Sequence, residues 1–520
     1  MNQNQPNVLV LNIEGLRAEF LGPYGNDWID TPHFNRLAVE GFVFDHCLVG
    51  GVNSCDQLTA LWSGCHPSQA LPTRFAIDAG KAQWLVEVFR RAGYFTILTS
   101  SSESVTKHPG ASAFDEHRLV APVKEAAPAT SNEHLPVITD PEQLAPVGEP
   151  AADWSETRTA AVFSELIQII ETQESPQFIW CQLTTLSAIW ESPLELRERF
   201  REPGDPPVWP GTNIPRAFFG PGTDPDVYLP FVQAYAAEVY ILDLCLGGLL
   251  EVLKRNGDKR PWVVVLLSSR GLPLGEHGHV GFAATCFYNE LLHVPLIFSF
   301  PNGAGQAERS QALVYPHDIM PTLATACGLV DKSDTSLESL PPAGTCETVW
   351  IAGRNLLPVI EGSCNFVRNR LFSYSGADVL AIRTPAWLAQ ILLSEDGDGP
   401  GDLHEQVPER QIPFVDHLKA IVDADDDSEA QNAEDAPQEE LLSRVEIAEL
   451  RKHVRLFVKP DDRWEINEVA DRCPDVAVEF LKMASRFLKV CTPDGDKREP
   501  VDFLTLPPLN EVLAKGIGAP

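Results

Sequence analysis

The sequence predicts an α/β fold: a mainly parallel central sheet flanked by helices, plus a smaller C-terminal α+β subdomain. Three observations predict it. Short apolar runs of strand length recur along most of the chain. Helical patterns with recognisable stop signals lie between those runs. After Leu371 the pattern changes to several short strand-like pieces and one long helix.

The strand candidates are Val8 to Ile13, Tyr94 to Thr99, Phe178 to Leu183, Trp262 to Leu267 and Val294 to Phe298. Each is continuous and apolar, as a strand covered on both faces must be. The intervening helices are Thr31 to Glu40 after a Thr-Pro start, Gln83 to Ala92 before Gly93, Trp154 to Thr172, Phe231 to Arg255 before Asn256-Gly257, and His317 to Cys327 before Gly328. In a sheet of alternating strands and helices the working site lies beyond the carboxyl ends of the strands. Residues 121–153 and 203–225 are rich in Pro with Ala, Glu or Gly and read as long surface loops. Past Leu371, Val379 to Arg383, Leu388 to Leu393 and Arg455 to Lys459 read as strands, and Pro474 to Val490 as a helix. The expected division is 1–370 for the α/β domain and 371–520 for the subdomain, with an acidic, mobile insertion at about 395–442.

The 520 residues carry 73 acids against 40 bases, a formal net charge of −33. Much of that excess is local, in Asp423, Asp425, Asp426, Asp427, Glu429, Glu434, Asp435, Glu439 and Glu440. A surface this acidic repels nucleic acid and anionic membranes, so neither is an expected partner. The N-terminus lacks the basic and apolar parts of a secretory signal, and no uncharged apolar run approaches the ~18 residues of a membrane span. The 11 cysteines are scattered without CxxC pairing and read as reduced core thiols of a cytoplasmic protein.

Several segments share order and wording with one family. They are NVLVLNIEGLRAEFLGPYG (Asn7 to Gly25), TPHFNRLAVEGFVFDHC (Thr31 to Cys47), Gly93-Tyr94, Phe114-Asp115, AEVYILDLCLGGLLEVLK (Ala237 to Lys254) and GEHG (Gly275 to Gly278). HVPLIF (His293 to Phe298), HDIMPTLATACG (His317 to Gly328), GRNLLPVIEG (Gly353 to Gly362) and the tail segment Arg455 to Ala484 continue the series. Together they resemble the sulfatases, a branch of the alkaline phosphatase superfamily, over most of 7–380 and again over 453–490. The resemblance implies that superfamily's fold, and a family chemistry in which a formylglycine made from Cys or Ser in a C/S-x-P-x-R turn attacks a sulfate ester. A divalent cation, usually calcium, sits on two adjacent acids after the first strand and on an Asp-Asn or Asp-His pair after a later one. Lysines and histidines neutralise the sulfate and protonate the leaving group.

Carried over position by position, that machinery is largely missing. The nucleophile position falls on Ser54, with Asp56 and Leu58 where the motif needs Pro and Arg; Cys55, one residue on, lacks the motif as well. Ser54 is also well placed as an N-cap, in a capping box with Gln57. The adjacent metal acids fall on Glu14 and Gly15, and the later pair on Ser269 and Arg270. Calcium wants six to eight oxygens. Glycine offers no side-chain oxygen and arginine carries only donors. No cofactor is therefore expected, and Arg270 is expected to stand in for the cation and pair with Glu14. The family's Gly-Lys-x-His becomes Thr99-Ser100-Ser101-Ser102, its central His falls near Ser187, and its last Lys near Phe282 or Ala284. His277 alone survives at a matched polar position, as a candidate catalytic group. With His279 it forms a His-x-His that suits a loop role or a ligand or transition-metal site.

Three functional readings follow. In the first the protein has the sulfatase fold, is catalytically degenerate, and acts by binding another protein or a small anion near Arg270. In the second it is a divergent sulfuric or phosphoric ester hydrolase with an atypical nucleophile such as Ser54. The third, a zinc-type phosphotransferase, needs clustered Asp and His at strand ends that here carry Glu14-Gly15 and Ser269-Arg270.

Overall fold

A computed structural model describes residues 5–69, 84, 86–122, 137–138, 144–172, 176–220, 222–257, 260–283, 286–330, 353–375, 379–393 and 453–491. The strands are β1 (Asn7–Ile13), β2 (Phe42–Leu48), β3 (Phe95–Ser100), β4 (Glu116–Leu119), β5 (Val137–Ile138), β6 (Gln177–Leu183), β7 (Ala217–Phe219) and β8 (Trp262–Leu267). They continue with β9 (His279–Val280), β10 (His293–Val294), β11 (Leu296–Ser299), β12 (Glu308–Val314), β13 (Leu371–Tyr374), β14 (Val379–Arg383), β15 (Trp387–Leu392) and β16 (Val454–Val458).

Nine of these form one sheet. Its parallel run is β8-β1-β6-β3-β4, extended by β11 and β2, with β10 and β12 also pairing with β2. Of these outer pairs β11 with β8 and with β2 are antiparallel, and so is β10 with β2, so the sheet is mainly but not wholly parallel. Every residue of β1, β6 and β8 is buried. Alternation then divides them between two cores. Val8, Val10, Phe178, Trp180, Val263 and Val265 face one, under the helices Ser54–Ser63 and Ile319–Ala326. Leu9, Leu11, Ile179, Val264 and Leu266 face the other, under Arg158–Thr172 and the 29-residue helix Leu229–Gly257.

The second sheet, β13-β14-β15-β16, is antiparallel. One face buries Leu380, Ile382 and Trp387 against the helix Pro474–Cys491. From the other face Val379, Ala381, Leu388 and Phe457 join the first core of the main sheet. Among the described residues no helix is long and apolar enough to cross a membrane.

Several expectations shift. The run Val294 to Phe298 is split into β10 and β11 at Pro295, which has no N–H for the ladder. Gln83 and the acidic insertion lie outside the described residues. The segment 203–225 is not a plain surface loop: Trp209 and Phe219 are buried, and β7 pairs with β5 and β9. The cause is Arg197, a fully buried guanidinium that donates to the carbonyls of Trp190, Ser192, Trp209 and Gly211 and ties the loop to the core. The nine described cysteines are free; seven are buried, and Cys55 and Cys364 are exposed, against the expectation of a wholly core set.

Candidate functional site

The register sets the site. Asn12 stands opposite both Gln182 of β6 and Leu267 of β8. Two residues further along, Glu14, Thr184 and Ser269 leave the three central strands at the same level. Glu14 is 5% and Arg270 8% exposed.

Arg270 is aimed by its own turn. The Ser268 hydroxyl donates to the Arg270 carbonyl at 2.6 Å and accepts from its N–H at 3.3 Å. The guanidinium then reaches Glu14 Oε1 with Nε at 3.0 Å and Nη2 at 2.6 Å. Its flat face lies 3.9 Å from the Phe282 ring centroid, a cation–π contact that holds the fork in plane. Two hydroxyls complete the surroundings of the same oxygen: Ser54 Oγ donates at 3.0 Å, and Ser187 Oγ, 3.2 Å away, shares its proton between this oxygen and the Thr184 carbonyl at 3.1 Å. The structure thus brings together Glu14, Ser54, Ser187 and Arg270. Ser269 is beside them, its hydroxyl buried and without a partner among the described residues.

Gly15 has a conformational reason to be glycine. Its φ is +91°, and an added Cβ would stand 3.1 Å from Ser187 Cβ and 3.2 Å from Ser187 N. Its N–H donates to the Arg270 carbonyl and its carbonyl accepts from Tyr235 Oη. An acid cannot be accommodated here without moving the Ser187 turn.

The helix after β2 departs from expectation. Its N-cap is Asn53, whose side chain accepts from Cys55 N at 2.9 Å and Asp56 N at 3.3 Å. Ser54 is therefore the first helical residue rather than the cap. Gln57 does not close a capping box; its amide donates to the Gly51 carbonyl. Relieved of capping, the Ser54 hydroxyl is spent on Glu14. Asp56, half-buried in the first turn, has its carboxyl pushed up to about 6 by burial. The serines at the end of β3 and just beyond it are used structurally. Ser100 donates to the Gln182 carbonyl, Ser101 bonds Thr184 Oγ1, and Ser102 caps the helix Glu103–Thr106.

His277 does not join this group. Its ring nitrogens are taken by Glu290 Oε1 at 2.7 Å and the Glu465 carbonyl at 3.3 Å. His279 is buried on β9 against Phe218, and burial pulls its imidazole down to about 4. Both ring nitrogens of His277 are thus engaged, and no group of three or more His, Cys, Asp or Glu among the described residues could hold an ion.

These residues do not fit the family's cation. One oxygen of Glu14 is taken by a guanidinium and two hydroxyls, Gly15 supplies no side-chain oxygen, and the Arg270 charge sits beside the carboxylate. The sequence foresaw Glu14 and Arg270. It did not foresee the Phe282 platform or the bond from Ser187.

The family model for Sulfatase matches residues 6–329. A sulfatase of Formosa agariphila is 24% identical over 65% of this chain and 72% of its own length. Human iduronate 2-sulfatase is 22% identical over 60% of this chain and 62% of its own. The N-acetylglucosamine-6-O-sulfatase of Bacteroides thetaiotaomicron is 31% identical, but the match spans only 22% of this chain and 20% of that protein. Among solved structures, the phosphonate monoester hydrolase of Agrobacterium radiobacter superposes with TM-score 0.60 at 17% identity, covering 93% of this chain and 95% of that one. A structure described as in complex with its substrate D-glucosamine-2-N,6-O-disulfate gives 0.57 at 15%, covering 93% and 98%. At those identities the likeness is one of fold.

Proposed function

The chain belongs to the sulfatase family, and we propose that it is a catalytically degenerate member that acts by binding. The observation that carries this reading is the buried Arg270–Glu14 pair at the ends of β1 and β8. By the family resemblance, hydrolysis of a sulfate ester needs a cation on the sulfate oxygens and an activated nucleophile beside it to displace the alcohol. Here a fixed guanidinium takes the carboxylate that would hold the cation. Ser54, at the nucleophile position, has neither the oxidation motif nor a free base among the described residues, since the carboxylate oxygen it touches is the one Arg270 occupies.

What remains is a binding end of the sheet. Arg270 Nη1 makes no hydrogen bond among the described residues and is a donor for a small anion; a protein partner covering the same strand ends is the other occupant the reading admits.

The test is an assay of purified protein on aryl sulfates and aryl phosphates with calcium, magnesium and zinc supplied, together with elemental analysis. The expected result is no turnover above buffer and no stoichiometric metal. Turnover abolished by Ser54→Ala would instead establish a divergent hydrolase, and stoichiometric zinc with phosphate-ester turnover a phosphotransferase.

A further inference from the structure

His277 lies where the two sheets meet. It belongs to the turn between β8 and β9, and its ring is stacked on Tyr288 with centroids 3.5 Å apart and planes 4° from parallel. Nδ1 faces the Glu290 carboxylate of the short helix Asn289–Leu292, and Nε2 faces the backbone carbonyl of Glu465, in the loop that follows β16. A carbonyl oxygen can only accept, and so can a carboxylate. A ring that satisfies both must donate from both nitrogens, which only the imidazolium does.

The same junction is tied from the second sheet's side. Glu465 Oε2 accepts from Asn289 N at 3.1 Å, and its other oxygen pairs with Lys459. The Arg463 carbonyl accepts from Asn289 Nδ2, Arg455 donates to Tyr288 Oη at 2.7 Å, and Gln390 donates to the Phe287 carbonyl at 2.8 Å. Glu465 is 2% exposed with φ of +51°, a left-handed conformation that orients its carbonyl as well as its carboxylate inward.

We propose that protonated His277 is a clasp between the two sheets, holding the loop after β16 on the strand-end loops of the main sheet, and that loss of its proton weakens that hold. The charged and titratable groups around it come from every packed element. Glu276 and His279 flank it in its own segment. Cys286, Tyr288 and Glu290 come from the segment before and within the short helix, Arg17 from the loop after β1, and Arg455, Lys459 and Glu465 from the second sheet. Burial opposes charge on His277, but the hydrogen bond and charge of Glu290, with the Glu465 carbonyl, raise its proton affinity above the usual histidine value. A histidine raised in this way stabilises fully below its unfolded value near 6.5 and loses that contribution as pH rises through the higher folded value.

Hydrogen exchange of the whole protein, corrected for intrinsic rates, tests the clasp at about pH 6 and about pH 8.5. Segments 286–292 and 454–469 are expected to lose protection by about fivefold or more at the higher pH, while β1 keeps its own. In His277→Gln both segments are expected to start at the weaker level and to show no such change. Unchanged protection in the wild type, or a loss that persists in His277→Gln, overturns the proposal. Where that variant does not fold, the nitrogen-15 resonances of the wild-type imidazole decide: both nitrogens protonated at neutral pH support the clasp, and a neutral ring at about pH 6 overturns it.

Discussion

The Arg270 guanidinium closes on a single oxygen of Glu14, with Nη2 2.6 Å and Nε 3.0 Å from Oε1, and both side chains are shut away from water. Two ions buried together are held chiefly by each other. Removing one leaves the other charged in a site that cannot solvate it, at a cost of about 3 to 5 kcal/mol. Arg270→Ala and Glu14→Ala are each expected to destabilise by that order in chemical denaturation. The double change to Met and Leu should recover most of the loss, because a buried pair exchanged for apolar volume is often neutral. Added calcium should leave the wild-type melting temperature where it was; a rise of several degrees would contradict the pairing as a substitute for the ion.

Gly15 supplies a second check. At φ of +91°, and with Ser187 Cβ and N 3.1 and 3.2 Å from where a Cβ would stand, a side chain at Gly15 is strained and must displace the Ser187 turn. Gly15→Asp is expected to cost at least ~1–2 kcal/mol from the left-handed conformation. It should confer no calcium-dependent shift while Arg270 remains. Differential scanning with and without calcium measures both parts.

The central strands were legible because each is a short apolar run, and the pairing of Glu14 with Arg270 was legible only through the family resemblance, which placed both at metal positions. What sequence could not supply is contact between distant segments. His277, within GEHG, looks like a surviving catalytic group, yet its Nε2 partner, Glu465, is 188 residues away. The loop at 203–225 looks exposed by composition, yet it is held by Arg197, which reads as an ordinary surface arginine until its four carbonyl partners are seen. The cap was missed by one residue, since Asn53 and Ser54 are both good caps and only the geometry chooses between them.

That choice is measurable. With Asn53 accepting from Cys55 N and Asp56 N, Asn53→Ala should cost about 1 kcal/mol. Asn53→Asp should retain most of the stability, because a carboxylate makes the same bonds and suits the helix N-terminus. Urea denaturation of the two variants beside the wild type resolves the difference. An Asn53→Ala protein as stable as the wild type would return the cap to Ser54.

Glu238 gives the pH dependence its acid-side component. It lies in the helix Leu229–Gly257, fully enclosed, and burial raises its carboxyl to about 7, although the Ser192 N–H at 2.5 Å and the nearby Arg197 oppose the rise. A raised carboxyl keeps its proton in the folded state where the unfolded chain, near 4.5, has released it. The unfolded state then binds fewer protons, so the contribution of this group to stability falls as pH climbs from about 4.5 to about 7 and is level on either side. The full span is on the order of 3 kcal/mol. Glu238→Gln cannot ionise and keeps an oxygen for Ser192 N, so its stability should lack this slope and exceed that of the wild type at about pH 8. Denaturation midpoints of both proteins across that range, at constant ionic strength, separate this group from His277, whose loss begins only above about 6.5.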